Sequence, residues 1–71
     1  MMAVVERDQK MSLAALRVNV GLTQEELANR CGVSKTTVIS WEAGRSLPNV
    51  KRLPALEAAL GYPYSLIRFG K

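Results

Sequence analysis

The sequence predicts an all-α domain, a compact bundle of four to five short helices. Apolar residues recur at helical spacing in four segments, and a glycine stands just past the end of each. Ser, Thr or Asn stands where each of those segments begins. No stretch shows the strict apolar–polar alternation of a half-buried strand.

With 71 residues, the chain suits one domain whose core is marginal in size. The single Cys31 excludes an internal disulfide, and the absence of His leaves no metal-ligand spacing. Helix packing and dimerisation remain as sources of stability. The net charge of +4 favours an anionic partner, either nucleic acid or an anionic membrane surface. No apolar run approaches the length of a membrane span. The first ten residues carry Glu6, Arg7, Asp8 and Lys10 without an apolar stretch, so no secretory signal is expected and the cytoplasm is the expected compartment.

Residues 1–11 lack a clear period and are expected to be a flexible segment preceding a domain over 12–69. Ser12 is placed to cap a first helix with Leu13, Leu16, Arg17 and Val20 on one face, ended by Gly21. Thr23-Gln24-Glu25-Glu26 reads as a capping box opening a second helix that buries Leu27, Ala28 and Cys31. Gly32 stops it. Ser34 caps a third helix that runs to about Ala43 and ends at Gly44. Leu47-Pro48-Asn49 forms a turn. Val50, Leu53, Leu56, Ala59 and Leu60 then outline a fourth helix ended by Gly61. Pro54 would clash with the Val50 carbonyl in a regular helix begun at Val50, so this helix should start near Leu53 or open with a 3₁₀ turn. Residues 65–69 add one last helical turn in this reading.

The break Gly32-Val33-Ser34 joins two short helices by a tight glycine-containing turn, which is the helix-turn-helix arrangement. On a wheel of the third helix, Val38 and Trp41 form the core stripe with Glu42 beside them. Thr36, Ser40 and Ala43 occupy the opposite flank, with Lys35 and Ile39 at the border. That flank is short, polar and free of acid, so the helix axis can approach a surface such as a DNA major groove; the plainer alternative is a solvated face. Arg17 on the apolar face of the first helix and Glu42 on the third are expected to meet in a mostly buried ion pair, because an unpaired charge facing a core is unfavourable. The alternative is that both extend to solvent.

The run Gly21-Leu22-Thr23-Gln24-Glu25-Glu26-Leu27-Ala28, then Gly32-Val33-Ser34, Val38, Trp41-Glu42 and Gly44-Arg45 resembles the Cro/repressor (XRE-type) helix-turn-helix family, whose fold is lambda-repressor-like. The resemblance covers about Ser12 to Gly61. It implies that the second helix lies across a DNA backbone and the third enters the major groove. It places Lys35, Thr36 and Ser40 at base-contacting positions, and Thr23, Gln24, Thr37 and Arg45 at backbone-contacting ones. Arg17 and Glu42 fall where the family keeps a structural ion pair. Gly44, Arg45 and Ser46 match its phosphate-gripping loop.

Ile39 departs from the family pattern, where this position is small or polar. Lys51 and Arg52 read more readily as a solvated helix start than as phosphate partners. Cys31 reads as a core residue with no cation placed to activate it. The apolar tail Tyr62, Tyr64, Leu66, Ile67 and Phe69 would either supply a dimer contact or close the monomer core. The function these features favour is a sequence-specific double-stranded DNA-binding transcriptional regulator resembling a phage or mobile-element repressor. It would act as a homodimer on DNA, with no cofactor and no small-molecule ligand. The alternative is a protein-binding adapter, such as the antitoxin subunit of a toxin–antitoxin pair. No catalytic grouping supports an enzyme: Glu25 and Glu26 are adjacent on a helix and point apart.

Overall fold

The computed structural model describes residues 10–70. Its elements run in the order β1 (Met11–Ser12), α1 (Leu13–Asn19), α2 (Gln24–Cys31), α3 (Lys35–Ala43), a 3₁₀ turn (Val50–Arg52), α4 (Leu53–Leu60), a second 3₁₀ turn (Tyr64–Leu66) and β2 (Ile67–Arg68). The four α-helices make the small all-α domain that the apolar spacing predicts.

The helix starts follow local hydrogen bonding. Ser12 accepts from the Ala15 N–H at 3.1 Å, and Ser34 from the Thr37 N–H at 3.2 Å. Thr23 and Glu26 form the reciprocal capping box, at 3.0 and 2.8 Å. The helix ends follow glycine. Behind α2, Gly32 at φ +70° returns its N–H to Asn29 O, while Val33 N–H reaches Ala28 O. This paired return is a Schellman termination, which a left-handed residue makes possible.

Helix α4 begins as Pro54 requires. Asn49 Oδ1 accepts from Lys51 N–H at 3.0 Å and opens the 3₁₀ turn. The Val50 carbonyl is taken by Leu53 N–H, so Pro54 falls near the start of α4, where its missing N–H leaves no gap. Val50, expected on the apolar face of this helix, is instead 77% exposed. The tighter 3₁₀ turn rotates it away from the face that a 3.6-residue period assigns.

The core gathers Leu13 and Leu16 from α1, Leu27, Ala28 and Cys31 from α2, Val38 and Trp41 from α3, Leu56 and Leu60 from α4, and Ile67 from β2. Leu13, Leu27, Val38 and Leu56 are fully enclosed, and full burial of such a side chain contributes about 1.5–3 kcal/mol. Val20, expected inside, is exposed, because it caps α1 beyond its last turn and returns its N–H to Leu16 O.

The ends of the chain correct the sequence reading. Residues 65–69 do not form a further helical turn throughout: the 3₁₀ turn stops at Leu66, and Ile67–Arg68 pairs in parallel with Met11–Ser12. Two-residue strands are too short to show alternation, and each exists because the other lies beside it. Met11 pairs with Ile67 and is thus tied to the sheet; the rest of the expected flexible segment, apart from Lys10, lies outside the described residues. Ile67 is buried, Tyr62 and Phe69 pack on the core, and Tyr64 is half exposed. The tail therefore closes the monomer core, and Tyr64 N–H donates to Glu57 Oε2 at 2.9 Å to hold it there.

Candidate nucleic-acid interface

Helices α2 and α3 pack through Leu27, Ala28 and Cys31 against Val38 and Trp41. That packing turns the opposite flank of α3 outward. Lys35 and Thr36, in its first turn, are exposed. Thr37 is half-buried, and its hydroxyl lies 3.0 Å from that of Ser34, so the cap residue holds its side chain as well as its backbone. Ser40 is half-buried, one turn after Thr36 and Thr37. Its Oγ accepts a hydrogen bond from Ser46 at 3.0 Å, a contact the wheel does not reveal. Ile39 is at the border of exposure, as its wheel position suggests.

Arg17 and Glu42 meet. Arg17 Nε donates to Glu42 Oε2 at 2.6 Å, with both side chains mostly covered. Arg17 Nη1 also donates to Leu22 O at 2.8 Å, tying the ion pair to the loop that precedes α2. Gln24 Nε2 takes the other carboxylate oxygen, Oε1, at 2.9 Å. One carboxylate on α3 thus fastens α1 and the first turn of α2 together. Such a pair aids orientation more than net stability, whereas loss of one partner strands the other.

The Gln24 contact is not foreseen from the sequence, where the family resemblance gives Gln24 a DNA-backbone role alone. An amide nitrogen carries two protons, so one remains after Glu42 is served. The same residues border an open cleft of about 400 Å³ lined by Arg17, Thr23, Gln24, Glu25 and Lys35. It lies between the first turn of α2 and the first residue of α3. Three nitrogen-bearing side chains and a hydroxyl face it, opposed by one carboxylate, Glu25.

Arg45 follows α3 directly and is exposed, as is Lys51. Arg52 has a structural task. Its Nη1 donates to Cys31 O at 3.3 Å, at the C-terminus of α2, where a cation complements the helix dipole. A cation therefore does stand near Cys31, contrary to the sequence reading. Burial pushes the Cys31 thiol above its ordinary range, and the Arg52 charge offsets this in part. The residue is buried and belongs to the core. Among the described residues no cluster of three or more acidic, Cys or His side chains is arranged to hold a metal, and no helix is long and apolar enough to cross a membrane.

Known proteins resemble this chain in sequence. A family model described as helix-turn-helix matches residues 13–67. An uncharacterised HTH-type transcriptional regulator of Methanothermobacter thermautotrophicus is 47% identical over 45 residues, covering 63% of this chain and 65% of that protein. A multiprotein-bridging factor of Eremothecium gossypii is 40% identical over 50 residues, 70% of this chain and 33% of its own length. An HTH-type transcriptional activator of Enterococcus faecalis is 41% identical over 44 residues, 62% of this chain and 22% of its own. The chain thus spans less than two thirds of each of these relatives. No solved structure matches at comparable significance. With the α2–turn–α3 unit inside the matched span and the family pattern covering most of the sequence, the chain belongs to the XRE-type helix-turn-helix family.

Proposed function

We propose that the protein is a sequence-specific double-stranded DNA-binding transcriptional regulator that reads the major groove with α3. The observation that carries this reading is the outward flank of α3. Lys35, Thr36 and Ser40 stand on it with no acid among them, beside a cleft bordered by Arg17, Thr23, Gln24 and Lys35. Short side chains let a helix sit deep in a groove about 12 Å wide.

Lys35 donates to guanine O6 or N7, and Thr36 and Ser40 offer hydroxyls to base edges. Thr23, Gln24, Thr37 and Arg45 position the protein on phosphates, which orient without specifying sequence. Glu42 holds Gln24 by one amide proton and leaves the second for a phosphate oxygen.

The proposed working form is a cytoplasmic homodimer on two half-sites, about 34–36 Å apart, acting like a repressor by occupying its site. Since the aromatic tail is used in the core, a dimer contact falls elsewhere. Leu47 and Val50, between α3 and α4, are the most exposed large apolar groups among the described residues and are the proposed contact.

Selection of bound fragments from random duplex DNA tests the whole reading. A palindromic consensus supports it, and recovery of no enriched sequence refutes it. The similarity to a multiprotein-bridging factor and the border exposure of Ile39 on α3 favour one second reading, a protein-binding adapter. Salt separates the two. Duplex binding weakens with a log–log slope of about −0.9 per phosphate neutralised, whereas an apolar protein contact does not.

A further inference from the structure

We propose that Ser46 is a specificity-determining positioning residue. By donating to Ser40 Oγ, it leaves the Ser40 proton directed outward, toward an acceptor on the base edge that Ser40 faces. This rests on the reading of α3 as the groove-facing helix.

The bond follows from how α3 ends. Gly44, at φ +78°, turns the chain back; its N–H reaches Trp41 O at 3.1 Å, and Arg45 N–H reaches Ser40 O at 3.0 Å. This Schellman termination ties the loop to the backbone of Ser40 itself. Ser46, the next residue, is thereby brought beside the Ser40 side chain, and the two hydroxyls meet at 3.0 Å. The loop is braced from behind as well. A Cβ placed on Gly44 would lie 3.1 Å from Gly70 Cα, so the tail is packed against the turn and limits its retreat.

A hydroxyl has one proton and two lone pairs, so an unpartnered serine can donate or accept and does not choose a base. With one lone pair occupied by Ser46, the Ser40 proton points away from Ser46. Major-groove acceptors are N7 and O6 of guanine, N7 of adenine and O4 of thymine, whereas cytosine offers an N4 donor. Facing cytosine, Ser40 can still accept from N4 with its second lone pair, but in a groove cleared of water its own proton then finds no acceptor on that base, and an unsatisfied donor is unfavourable. Ser40, held by Ser46, therefore favours a purine or thymine at the position it faces and disfavours cytosine.

The test measures binding of the full chain to its selected site and to every single-base-pair variant of that site. The proteins compared are the wild type, Ser40→Ala, Ser46→Ala, the double variant and Ser46→Thr. Ser46→Ala is expected to flatten the preference by about 3–10-fold at one position per half-site. That position is the one Ser40→Ala flattens. The double variant adds nothing further, and Ser46→Thr retains the preference. Thermal melting close to wild type verifies that each variant is folded. Weakening on all sequences with the base preference retained, flattening at a different position, or an unchanged preference overturns the assignment of Ser46. A wild-type chain that binds no duplex overturns the parent reading, and this one with it. A base preference that survives Ser46→Ala overturns this one alone.

Discussion

Gly44 and Gly70 meet backbone to backbone: a Cβ on Gly44, the cap of α3, would lie 3.1 Å from Gly70 Cα in the tail, tighter than an ordinary van der Waals contact. Both residues have positive φ, +78° and +97°. A side chain at either position faces a strained conformation and a tight contact with main chain together.

Comparison with another glycine separates these two effects. Gly44→Ala should destabilise by about 1–3 kcal/mol, because backbone strain is added to a 3.1 Å contact that only a shift of main chain can relieve. Gly61→Ala meets nothing within 4 Å and carries the conformational cost of the left-handed region alone, about 1 kcal/mol, so it should destabilise less than Gly44→Ala. For a domain of this size each kcal/mol lowers Tm by about 4–8 °C, so paired thermal melts resolve the difference. Equal shifts for the two variants would show that the Gly70 contact is not restrictive.

Arg17→Met should destabilise by about 3–5 kcal/mol, because Glu42 then keeps Gln24 but loses its counter-charge in a mostly covered position. Arg17→Met with Glu42→Leu should recover much of that loss, since an apolar pair of similar volume leaves no stranded carboxylate. Denaturant titration measures both. A single variant that melts like the wild type would mean that Glu42 finds solvent without help.

At the proposed DNA face, Thr36→Ala should alter base preference and leave the melting temperature nearly unchanged, because Thr36 is exposed and its side chain makes no hydrogen bond among the described residues. A well-formed base contact is worth about 1–3 kcal/mol. Arg45→Ala should weaken binding to all sequences and reduce the salt slope by about one phosphate. Binding titrations at several salt concentrations distinguish these two signatures; the same signature for both would contradict the division of roles.

Cys31 makes a prediction about pH. Its thiol pKa is raised in the folded chain, first by burial, with Arg52 opposing. The unfolded chain therefore releases the thiol proton at lower pH than the folded one. The contribution is intact below the ordinary thiol range and declines as pH rises through that range toward the folded value. Cys31→Ala should flatten this alkaline decline while costing some packing. A thiol reagent at neutral pH should label the folded wild type slowly and the denatured chain fast. Rapid labelling of the native protein would place Cys31 outside the core.

The sequence by itself determined the parts governed by near neighbours. Ser12, Thr23, Ser34 and Asn49 start their elements, and Gly21, Gly32, Gly44 and Gly61 stop theirs, because capping acts within about four residues. The late start of α4 was legible from the reach of Pro54 to Val50. The inward stripe Val38 and Trp41, and the meeting of Arg17 with Glu42, were legible because a wheel puts each on the face that must be buried.

Only the tertiary structure decided the contacts whose geometry depends on how helices are set against one another. Met11 pairs with Ile67, Gln24 reaches Glu42, Arg52 covers the end of α2, and Gly70 closes on Gly44. Ser46 on Ser40 belongs with them: although the two are near in sequence, their hydroxyls meet because the turn at Gly44 is folded back and backed by the tail. Spacing along a chain encodes which face of a helix is apolar. The distance and angle between two such faces follow from how all the side chains fill the core at once.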